Sequence, residues 1–432
     1  MREMKDSGVE WIDKIPKEWK IAPLKTLFSF GKGLPITKDN LTESGIAVIS
    51  YGQIHAKWNS GVTTHRELFR FVGKEYLDTN ATSLVKKGDF ILADTSEDKD
   101  GCGNCAYIDK DEMIFAGYHT IILRSLCGSE NRYFAYLFLT DSWRSQIRKA
   151  VSGVKLFSIS KRILASCSVI VPDNFQNIVT FLDKKITQID ALIANQQTQI
   201  EKLKAYKQSL ITEVVTKGLD PDVPMKDSGV EWIGMIPEHW EIQKLKTRTN
   251  MLTPMRDKPA DLSGPIPWIR IEDYSGKYIS SSKEHLGVSA DTVKAMNLKI
   301  YPIGTVLCTS SCDLGKCAIV EKELVSNQRF IGIIPTYRLS SEFLYYLMLS
   351  NAERLNTLST GSIQANLSRV EFEQLLVQFP PLNEQLEITQ HLDKKCTMVD
   401  YLIDITQTKI KKLEQYKKSL IYEYVTGKRE VM

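Results

Sequence analysis

The chain has 432 residues, of which 43% are hydrophobic and 25% are charged, so its composition is that of a globular protein with room for two or more domains and argues against disorder. Its 56 basic and 52 acidic residues leave a formal net charge of only +4, so a surface that binds an anion such as DNA must be a local patch. The charged start has no apolar core, and no later run reaches the roughly 18 apolar residues of a membrane span, so we expect a soluble cytoplasmic protein.

The first element along the chain is an opening motif that occurs twice. Residues 4–12 and residues 225–233 both read MKDSGVEWI, and the match continues to Trp19 and Trp240. A second pair of matching segments lies further on, where LDKK occurs at residues 182–185 and again at residues 392–395. This self-similarity indicates a tandem duplication in which each copy runs from an opening motif to a C-terminal helix.

Between opening motif and helix the two copies diverge, although aligned small and apolar positions can still be followed. Short β-branched and aromatic runs broken by Gly, Asn and Asp predict strands, and residues 133–149 and 341–358 predict helices. Each variable region is therefore predicted to be a mixed α+β domain. A shared framework with divergent loops indicates two similar scaffolds that present different surfaces.

The conserved C-terminal segment of each copy has apolar residues at alternating spacings of three and four, which is the pattern of a coiled-coil seam. The seam residues are Leu182, Ile186, Ile189, Ile193, Ile200, Leu203 and Leu210 in the first copy and Leu392, Val399, Ile403, Ile410, Leu413 and Leu420 in the second. Segments of about 36 residues without proline or glycine predict helices about 54 Å long. We expect the two helices to pair as a rigid spacer, with two ordinary core helices as the alternative.

The opening motif SGVEWI..IP..W, at residues 7–19 and 228–240, resembles the start of Type I restriction-modification specificity subunits. The second variable region is similar to the same family at residues 304–320 and at Asn327-Gln328, and its exit at residues 379–385 resembles the family's PPL.EQ entry into the conserved helix. The first copy departs from the pattern, because its exit at residues 171–178 lacks the double proline and residues 96–103 form a longer polar loop.

The resemblance implies an α+β fold of two tandem target-recognition domains separated by two long antiparallel coiled-coil helices, with internal pseudo-two-fold symmetry. We assign the first recognition domain and its opening motif to residues 1–174 and the first spacer helix to residues 175–218. The second recognition domain and its opening motif follow at residues 219–383, and the second spacer helix at residues 384–428.

The resemblance also implies a function without catalysis. In this family the specificity subunit binds double-stranded DNA, and each recognition domain reads one half of a bipartite target. The helices set the spacing and dock two modification subunits, which methylate adenine at N6, and restriction subunits join the complex. We therefore expect no cofactor on this chain, and we expect S-adenosylmethionine, ATP and magnesium on the partner subunits.

Catalytic motifs are weak in this sequence. The only double proline, Pro380-Pro381, does not fit a methyltransferase loop, residues 28–33 resemble a glycine-rich cofactor loop only faintly, and no Walker A spacing occurs. Pro172-Asp173 with Asp183-Lys184-Lys185 does fit the loose pattern of a metal-dependent nuclease, but the second copy keeps only Asp393-Lys394-Lys395. A self-contained nuclease and a stand-alone DNA-binding or scaffolding protein are the two alternatives to the family function.

The eight cysteines and six histidines do not form a metal-binding pattern. Cys102 and Cys105 make one CxxC pair, and Cys308, Cys312 and Cys317 make a loose cluster, but no second CxxC or histidine pair completes a zinc site. We therefore predict free buried thiols and no metal.

Polar residues that follow apolar strands or lie on glycine-rich turns are candidates for contact with DNA, because such side chains can reach base edges or phosphates. In the first domain they are Ser50, Tyr51, Gln53, His55, Thr95, Ser96, Lys155, Lys161 and Arg162. In the second domain they are Arg270, Glu272, Asp273, Thr309, Ser310, Lys316, Gln364, Asn366 and Arg369. Lys161, Arg162 and Arg369 are the proposed phosphate contacts.

Overall fold

The computed structural model describes residues 3–126, 131–153, 155–254, 257–311, 314–358 and 367–431. The chain divides into two compact units. Unit 1 consists of Met1–Asn195 together with Lys409–Met432, and unit 2 consists of Gln196–Thr408. Each unit therefore contains one opening motif, one variable region and parts of both long helices. Among the helices that the structure describes, none combines the length and the apolar composition that spanning a membrane requires.

Unit 1 is built from short strands. They are β1 (Met4–Asp6), β2 (Lys14–Pro16), β3 (Lys20–Pro23), β4 (Phe28–Lys32), β5 (Ile46–Ile49), β6 (Arg70–Val72), β7 (Leu84–Val85), β8 (Phe90–Ala93), β9 (Thr95–Ser96), β10 (Cys105–Tyr107), β11 (Ile114–Ala116), β12 (Thr120–Ser125), β13 (Phe157–Ser158) and β14 (Ser168–Val171). Its two larger sheets have the orders β10-β8-β12-β4 and β6-β5-β11-β7. Strand pairs in these sheets are antiparallel except β5 and β11, which run parallel.

The helices of unit 1 follow the same chain order. They are α1 (Tyr51–Ile54), α2 (Tyr76–Thr79), α3 (Arg132–Phe138), α4 (Asp141–Ala150), α5 (Lys161–Ser166) and the beginning of α6 (Gln176–Lys217). Short 3-10 turns occur at Leu24–Thr26, Lys38–Asn40, Arg66–Leu68 and Ala81–Ser83.

The β8 strand is apolar at every position because both faces of its sheet are covered. Phe90 and Leu92 pack in one core with the α3 and α4 side chains, whereas Ile91 and Ala93 pack in a second core with residues of the other sheet. Because successive side chains on a strand point to opposite faces, a sheet covered on both faces needs apolar residues at every position. The variable region of unit 1, called its recognition region below, therefore has three layers. Helices α3 and α4 cover one face of the sheet that contains β8, and the second sheet covers the other face.

Unit 2 repeats this plan. Its strands are β15 (Met225–Asp227), β16 (Met235–Pro237), β17 (Glu241–Lys244), β18 (Thr249–Leu252), β19 (Ile266–Ile269), β20 (Tyr278–Ile279), β21 (Gly287–Val288), β22 (Val306–Thr309), β23 (Cys317–Val320), β24 (Val325–Ser326), β25 (Phe330–Pro335) and β26 (Leu376–Phe379). Its larger sheets have the orders β18-β25-β22-β23-β20 and β21-β19-β24, and β19 runs parallel to β24 as β5 does to β11.

The helices of unit 2 complete the fold. They are α7 (Ala290–Ala295), α8 (Ser341–Ser350), α9 (Ala352–Leu358), α10 (Arg369–Gln374) and α11 (Leu382–Val425), which continues into unit 1, and 3-10 turns occur at Leu245–Thr247 and Ile271–Asp273.

The predicted helices over residues 133–149 and 341–358 are each broken in two, so that part of the prediction is wrong. Thr140 has an extended backbone between α3 and α4, and its hydroxyl accepts a hydrogen bond from the Trp143 N–H at 3.3 Å, which caps a new helix. Asn351 separates α8 from α9, and its side-chain amide donates to the Leu347 carbonyl at 2.8 Å. In both copies a polar side chain satisfies backbone groups at the break.

The two long helices run antiparallel, as predicted, and they have 42 and 44 residues rather than about 36. In unit 1 the Phe181 ring of α6 lies 4.4 Å from the Tyr424 ring of α11, and Asp190 of α6 pairs with Lys417 of α11 at 2.6 Å. From the first contact to the second, the residue number increases along α6 and decreases along α11, so the two helices run in opposite directions. None of the thirteen predicted seam residues is exposed.

Two lysines that lie within the seam segments, Lys207 and Lys417, form ion pairs between the helices. Within unit 2 the Lys207 ammonium lies 2.7 Å from the Asp400 carboxylate. The Lys417–Asp190 pair within unit 1 occupies the equivalent positions of the duplicated sequence. The same ion pair therefore occurs once in each unit.

The end of each long helix contacts an opening motif. In unit 1 the Tyr133 hydroxyl donates to the Val425 carbonyl at 2.8 Å, and Gly427, with a φ of +69°, follows α11. A Cβ atom on Gly427 would lie 2.4 Å from Pro16 Cγ and 2.9 Å from the Trp19 ring, so only glycine fits there. Gly218 occupies the corresponding place beside Trp240 in unit 2. The first opening motif is thus packed against the last residues of the chain.

Candidate nucleic-acid interface

The candidate interface of unit 1 lies where three strands end together. Because β5 and β11 are parallel, the residues that follow them are neighbours, and the Tyr51 N–H donates to the Tyr118 carbonyl at 3.3 Å. Strand β8 ends beside them, since the Asp94 N–H donates to the His119 carbonyl at 3.1 Å. Loops of different sequence origin are therefore brought to one edge of the unit.

Aromatic rings cluster at this edge. The Tyr51 ring centroid lies 5.6 Å from that of Tyr118 and 5.4 Å from that of His119. His119 has a φ of +55°, its side chain is 59% exposed, and its Nδ1 lies 3.5 Å from a carboxylate oxygen of Asp94. An exposed imidazole and phenol rings at a strand edge supply the hydrogen-bonding groups and flat faces that base recognition requires.

His55 supports this edge from beneath, because both of its ring nitrogens are engaged. Its Nε2 lies 2.9 Å from the Thr95 carbonyl, and its Nδ1 lies 3.1 Å from the Asn104 side-chain amide. A carbonyl only accepts hydrogen bonds, so Nε2 carries the proton and Nδ1 accepts from Asn104. His55 therefore links β9, which follows β8, to Asn104 in the loop before β10.

Unit 2 places an equivalent edge at the ends of β19, β22 and β24. The Ser310 N–H donates to the Arg329 carbonyl at 2.8 Å, which matches the hydrogen bond from Asp94 to His119 in unit 1. Arg270 follows β19, and Ile269 lies opposite Ser326 in the parallel pair of strands. The same backbone arrangement thus carries different side chains in the two units.

Arg270 is held by acidic neighbours. Its guanidinium lies 2.8 Å from the Glu284 carboxylate, and a carboxylate oxygen of Asp273 accepts from its backbone N–H at 2.7 Å. The hydrogen bond to Glu284 raises the pKa of the Arg270 guanidinium. One guanidinium nitrogen of Arg270 is therefore already paired with a carboxylate of the protein.

Four of the predicted DNA contacts are buried and act within the protein. Ser50, Ser96, Asp273 and Thr309 are at most 3% exposed. Asp273 accepts hydrogen bonds from the Ser282 hydroxyl and the Lys283 N–H, and the Ser96 hydroxyl donates to the Asp98 carbonyl. Gln53 is also occupied, because its side-chain oxygen accepts from the Ser50 N–H at 3.2 Å. These residues shape the edge rather than face solvent.

The remaining candidates for DNA contact differ in the exposure and the partners of their side chains. Those with exposed side chains are Lys155, Arg162, Glu272, Lys316 and Arg369, and Ser310 is half-buried. Arg369 pairs with Glu373 at 2.6 Å, and Lys161 donates to the Phe30 carbonyl at 2.9 Å, with burial lowering the pKa of Lys161. Gln364 and Asn366 lie outside the described residues.

Tyr118, His119 and Arg329 belong to these edges but are absent from the sequence-based candidates. They follow β11 and β24, two very short strands that lie beside β5 and β19 only in the folded chain. The signal that could have found them was the pair of aligned loops before β12 and β25. Parallel pairing between strands so far apart in sequence is not encoded locally.

The acidic residues of the nuclease-like pattern have structural partners. Asp183 of α6 accepts from the Tyr136 hydroxyl at 2.5 Å and from Arg132 Nε at 2.8 Å. Asp393 of α11 accepts from the Tyr346 hydroxyl at 2.6 Å and from Lys277 at 2.5 Å. Both aspartates therefore anchor a long helix to its recognition region.

The cysteines that the structure describes are free and buried. They are Cys102, Cys105, Cys167, Cys308, Cys317 and Cys396. Burial raises the pKa of Cys105 to about 12, and Cys308 lies opposite Cys317 on neighbouring strands. No group of three or more His, Cys, Asp or Glu side chains among the described residues is placed to hold a metal ion.

Two copies of one sheet-and-helix recognition region, each joined to paired long helices, define a duplicated recognition protein. The family model of the Type I restriction modification DNA specificity domain matches residues 16–202 and 238–415. The chain therefore belongs to this family, and the resemblance seen in the two opening motifs is confirmed.

Curated relatives carry the same kind of name. The chain is 32% identical over 188 residues to the Type I restriction enzyme MjaIX specificity subunit of Methanocaldococcus jannaschii, an alignment that spans 42% of each chain. It is 21% identical to the putative MjaX specificity subunit of the same organism over 97% of this chain and 96% of the relative. The EcoKI specificity subunit of Escherichia coli K12 is 20% identical over 90% of this chain and 84% of its own.

A solved structure also matches the fold. It comes from work on complex assembly and conformational transition of the type I R-M system, and the match has a TM-score of 0.71 and 15% sequence identity. It covers 96% of this chain and 99% of the solved chain. At that identity the likeness establishes the fold.

Proposed function

We propose that this chain is the DNA-reading, non-catalytic specificity subunit of a Type I restriction-modification enzyme, and that each unit reads one half of a bipartite target. The observation that carries the proposal is the equivalent strand-end edge in the two units. Backbone hydrogen bonds from Asp94 to His119 and from Ser310 to Arg329 keep the framework, while the exposed side chains differ. Equal frameworks with different side chains suit two different half-sites in B-DNA.

The long helices serve, in this proposal, as the spacer and as the docking platform for modification subunits. Unit 1 exposes Leu192 and Tyr416 at 50% and 52%, and unit 2 exposes their sequence equivalents Leu402 and Tyr206 at 43% and 54%. Apolar side chains left exposed on paired helices are typical of surfaces that another protein covers. The same pair in each unit suits two copies of one partner.

This platform can be tested by stoichiometry. Replacing Leu192 and Tyr416 with serine should leave a complex with one modification subunit, and the matched replacement of Leu402 and Tyr206 should do the same. The four-fold variant should bind none. Native mass spectrometry of the assembled complex measures the copies, and two bound copies in the four-fold variant would contradict the platform.

Cofactor chemistry is assigned to the partners. We propose that S-adenosylmethionine, ATP and magnesium act on the modification and restriction subunits, and that the complex works in the cytoplasm where the DNA lies. The engagement of Asp183 and Asp393 by tyrosine and basic side chains supports an anchoring role for these residues over a nuclease role.

The nuclease alternative has a direct test. The full chain incubated with plasmid and magnesium should leave the DNA intact, and the Asp183→Asn variant should behave identically. Cleavage by the chain that disappears in Asp183→Asn would instead support a self-contained nuclease.

The bipartite reading is tested by domain exchange. Replacing residues 27–170 with the corresponding region of a relative should change one half-site and leave the other intact. Sequencing of methylated adenines in a host that carries the chain with its modification subunit gives the target directly. A continuous target, or a swap that alters both halves, would contradict the proposal. Absence of any sequence-specific methylation would favour a stand-alone DNA-binding protein.

A further inference from the structure

Resting on the proposed function, we infer that Arg329 is a specificity-determining residue of unit 2, and that it reads a guanine in the half-site of this unit. Arg329 is the residue immediately before β25, and its carbonyl accepts the Ser310 N–H at the end of β22. It therefore lies on the edge that β19, β22 and β24 form together.

The backbone at this position is fixed while the side chain faces solvent. The Asn327 side-chain oxygen accepts from the Arg329 N–H at 3.0 Å, so the turn after β24 is held at both ends by hydrogen bonds. Arg329 and its neighbour Gln328 are exposed. A long cationic side chain on a rigid turn loses less freedom on binding than one on a loose loop.

The partners of the other arginines in unit 2 distinguish Arg329 from them. Arg248 pairs with Glu241, Arg270 with Glu284 and Arg369 with Glu373, while the guanidinium groups of Arg338 and Arg354 lie over the rings of Tyr337 and Trp232. Arg329 alone among the arginines that the structure describes in unit 2 has neither a carboxylate nor an aromatic ring against its guanidinium.

The chemistry of the group then selects the base. A guanidinium presents two parallel N–H donors, and guanine is the base that presents two acceptors, O6 and N7, in the major groove. In unit 1 the position equivalent to Arg329 is occupied by His119, so the side chain offered to the DNA differs between the units. The guanine contact thus falls to Arg329 in place of Arg270, whose guanidinium already pairs with Glu284 through one nitrogen.

The test compares three variants of the full chain in complex with its modification subunit, using a library of randomised duplex DNA and sequencing of the bound fraction. Arg329→Ala and Arg329→Lys should both lose discrimination for guanine at one position by about 5- to 160-fold, the range of one good bidentate contact. The other half-site should be unchanged. Lysine keeps the charge but lacks the planar fork of two parallel N–H donors, so a loss of guanine discrimination in Arg329→Lys separates base reading from phosphate binding.

Arg338→Ala is the matched control, since Arg338 is an exposed arginine three residues beyond the other end of β25. It should leave the target unchanged. An unaltered motif in Arg329→Ala, full specificity in Arg329→Lys, or the same loss in Arg338→Ala would each overturn the inference. A wild-type complex that selects no motif would instead contradict the proposed function itself, and the assignment of Arg329 would fall with it.

Discussion

At the scale of single residues, one tyrosine–aspartate hydrogen bond in each unit joins a long helix to the recognition region. Tyr346→Phe removes the hydroxyl that donates to Asp393 at 2.6 Å. Hydrogen bonds to charged groups contribute about 1.5–3 kcal/mol, and we expect the low end because the Asp393 side chain is 45% exposed. Chemical denaturation measures the loss in free energy of unfolding.

The neighbouring Tyr345→Phe is the control for this change, because no described residue accepts a hydrogen bond from its hydroxyl. It should cost much less than Tyr346→Phe. Tyr136→Phe is the equivalent change in unit 1, where Arg132 also holds Asp183. Equal losses in Tyr345→Phe and Tyr346→Phe would show that the hydroxyl contact with Asp393 is not stabilising.

A second residue-scale prediction concerns the buried thiol of Cys105. Because burial raises its pKa to about 12, the native thiol keeps its proton where an unfolded cysteine, near pKa 9.0, has lost it. The stability from this group is complete below pH 9 and is lost as the pH rises toward 12. The test is to count reactive thiols with a thiol reagent at about pH 8.5, near the ordinary cysteine pKa. Native wild type and native Cys105→Ser should show the same number. After denaturation, Cys105→Ser should show one reactive thiol fewer than wild type.

Several of the side chains predicted to contact DNA lie at the strand-end edges but are buried there. Ser50 and Thr309 were placed among the DNA contacts because they terminate apolar strands. Both are buried, because Ser50 packs against Gly117 and the Thr309 hydroxyl donates to the Lys316 carbonyl. His119 and Arg329 were not predicted, because their place at the edge depends on strand pairing between distant segments.

At the scale of elements, the long helices were predictable in type and only partly in length. The spacing of apolar residues predicted the seam, and the absence of proline and glycine predicted continuity. The helices extend beyond the seam because residues such as Ile178 and Ile388 continue into the cores of the recognition regions. The breaks at Thr140 and Asn351 were not predicted, because apolar residues continue on both sides of them.

A buried and an exposed residue of the same helix, α6, allow the packing of the helix pair to be tested. Ile189 is 5% exposed and Leu192, less than one turn away, is 50% exposed. Ile189→Ala should cost about 2–5 kcal/mol of unfolding free energy, since it removes buried methyl groups and leaves a cavity. Leu192→Ala should cost little stability. Thermal unfolding of both variants decides this, and similar losses would show that the seam does not face the partner helix.

At the scale of the whole molecule, the duplication was visible in the sequence, whereas the composition of the compact units was not. The sequence predicts consecutive domains ending at residues 174, 218, 383 and 428, and those boundaries stay a prediction. The structure groups residues differently, since unit 1 takes its last part from Lys409–Met432. Contacts such as that of Tyr133 with Val425 join segments 292 residues apart in sequence, which no local pattern reveals.

Removal of residues 409–432 tests this grouping. Loss of α11 beyond Thr408 exposes the faces of Tyr133 and Trp19 that it covers, so unit 1 should become sensitive to protease while unit 2 stays protected. Hydrogen–deuterium exchange followed by mass spectrometry reports the two units separately. Loss of protection in unit 2 alone would contradict the division.

The packing of the first opening motif against the end of α11 also bears on how the protein is made. The first part of unit 1 ends at Asn195 and its second part begins at Lys409. A ribosome that adds about 5–20 residues per second needs roughly 10–40 s to pass from one to the other. During that interval the first recognition region exists without its closing helix, whereas unit 2 is continuous and can be completed earlier. The first unit to be translated is therefore finished after the second, and a chain that terminates before Lys409 lacks part of its first unit.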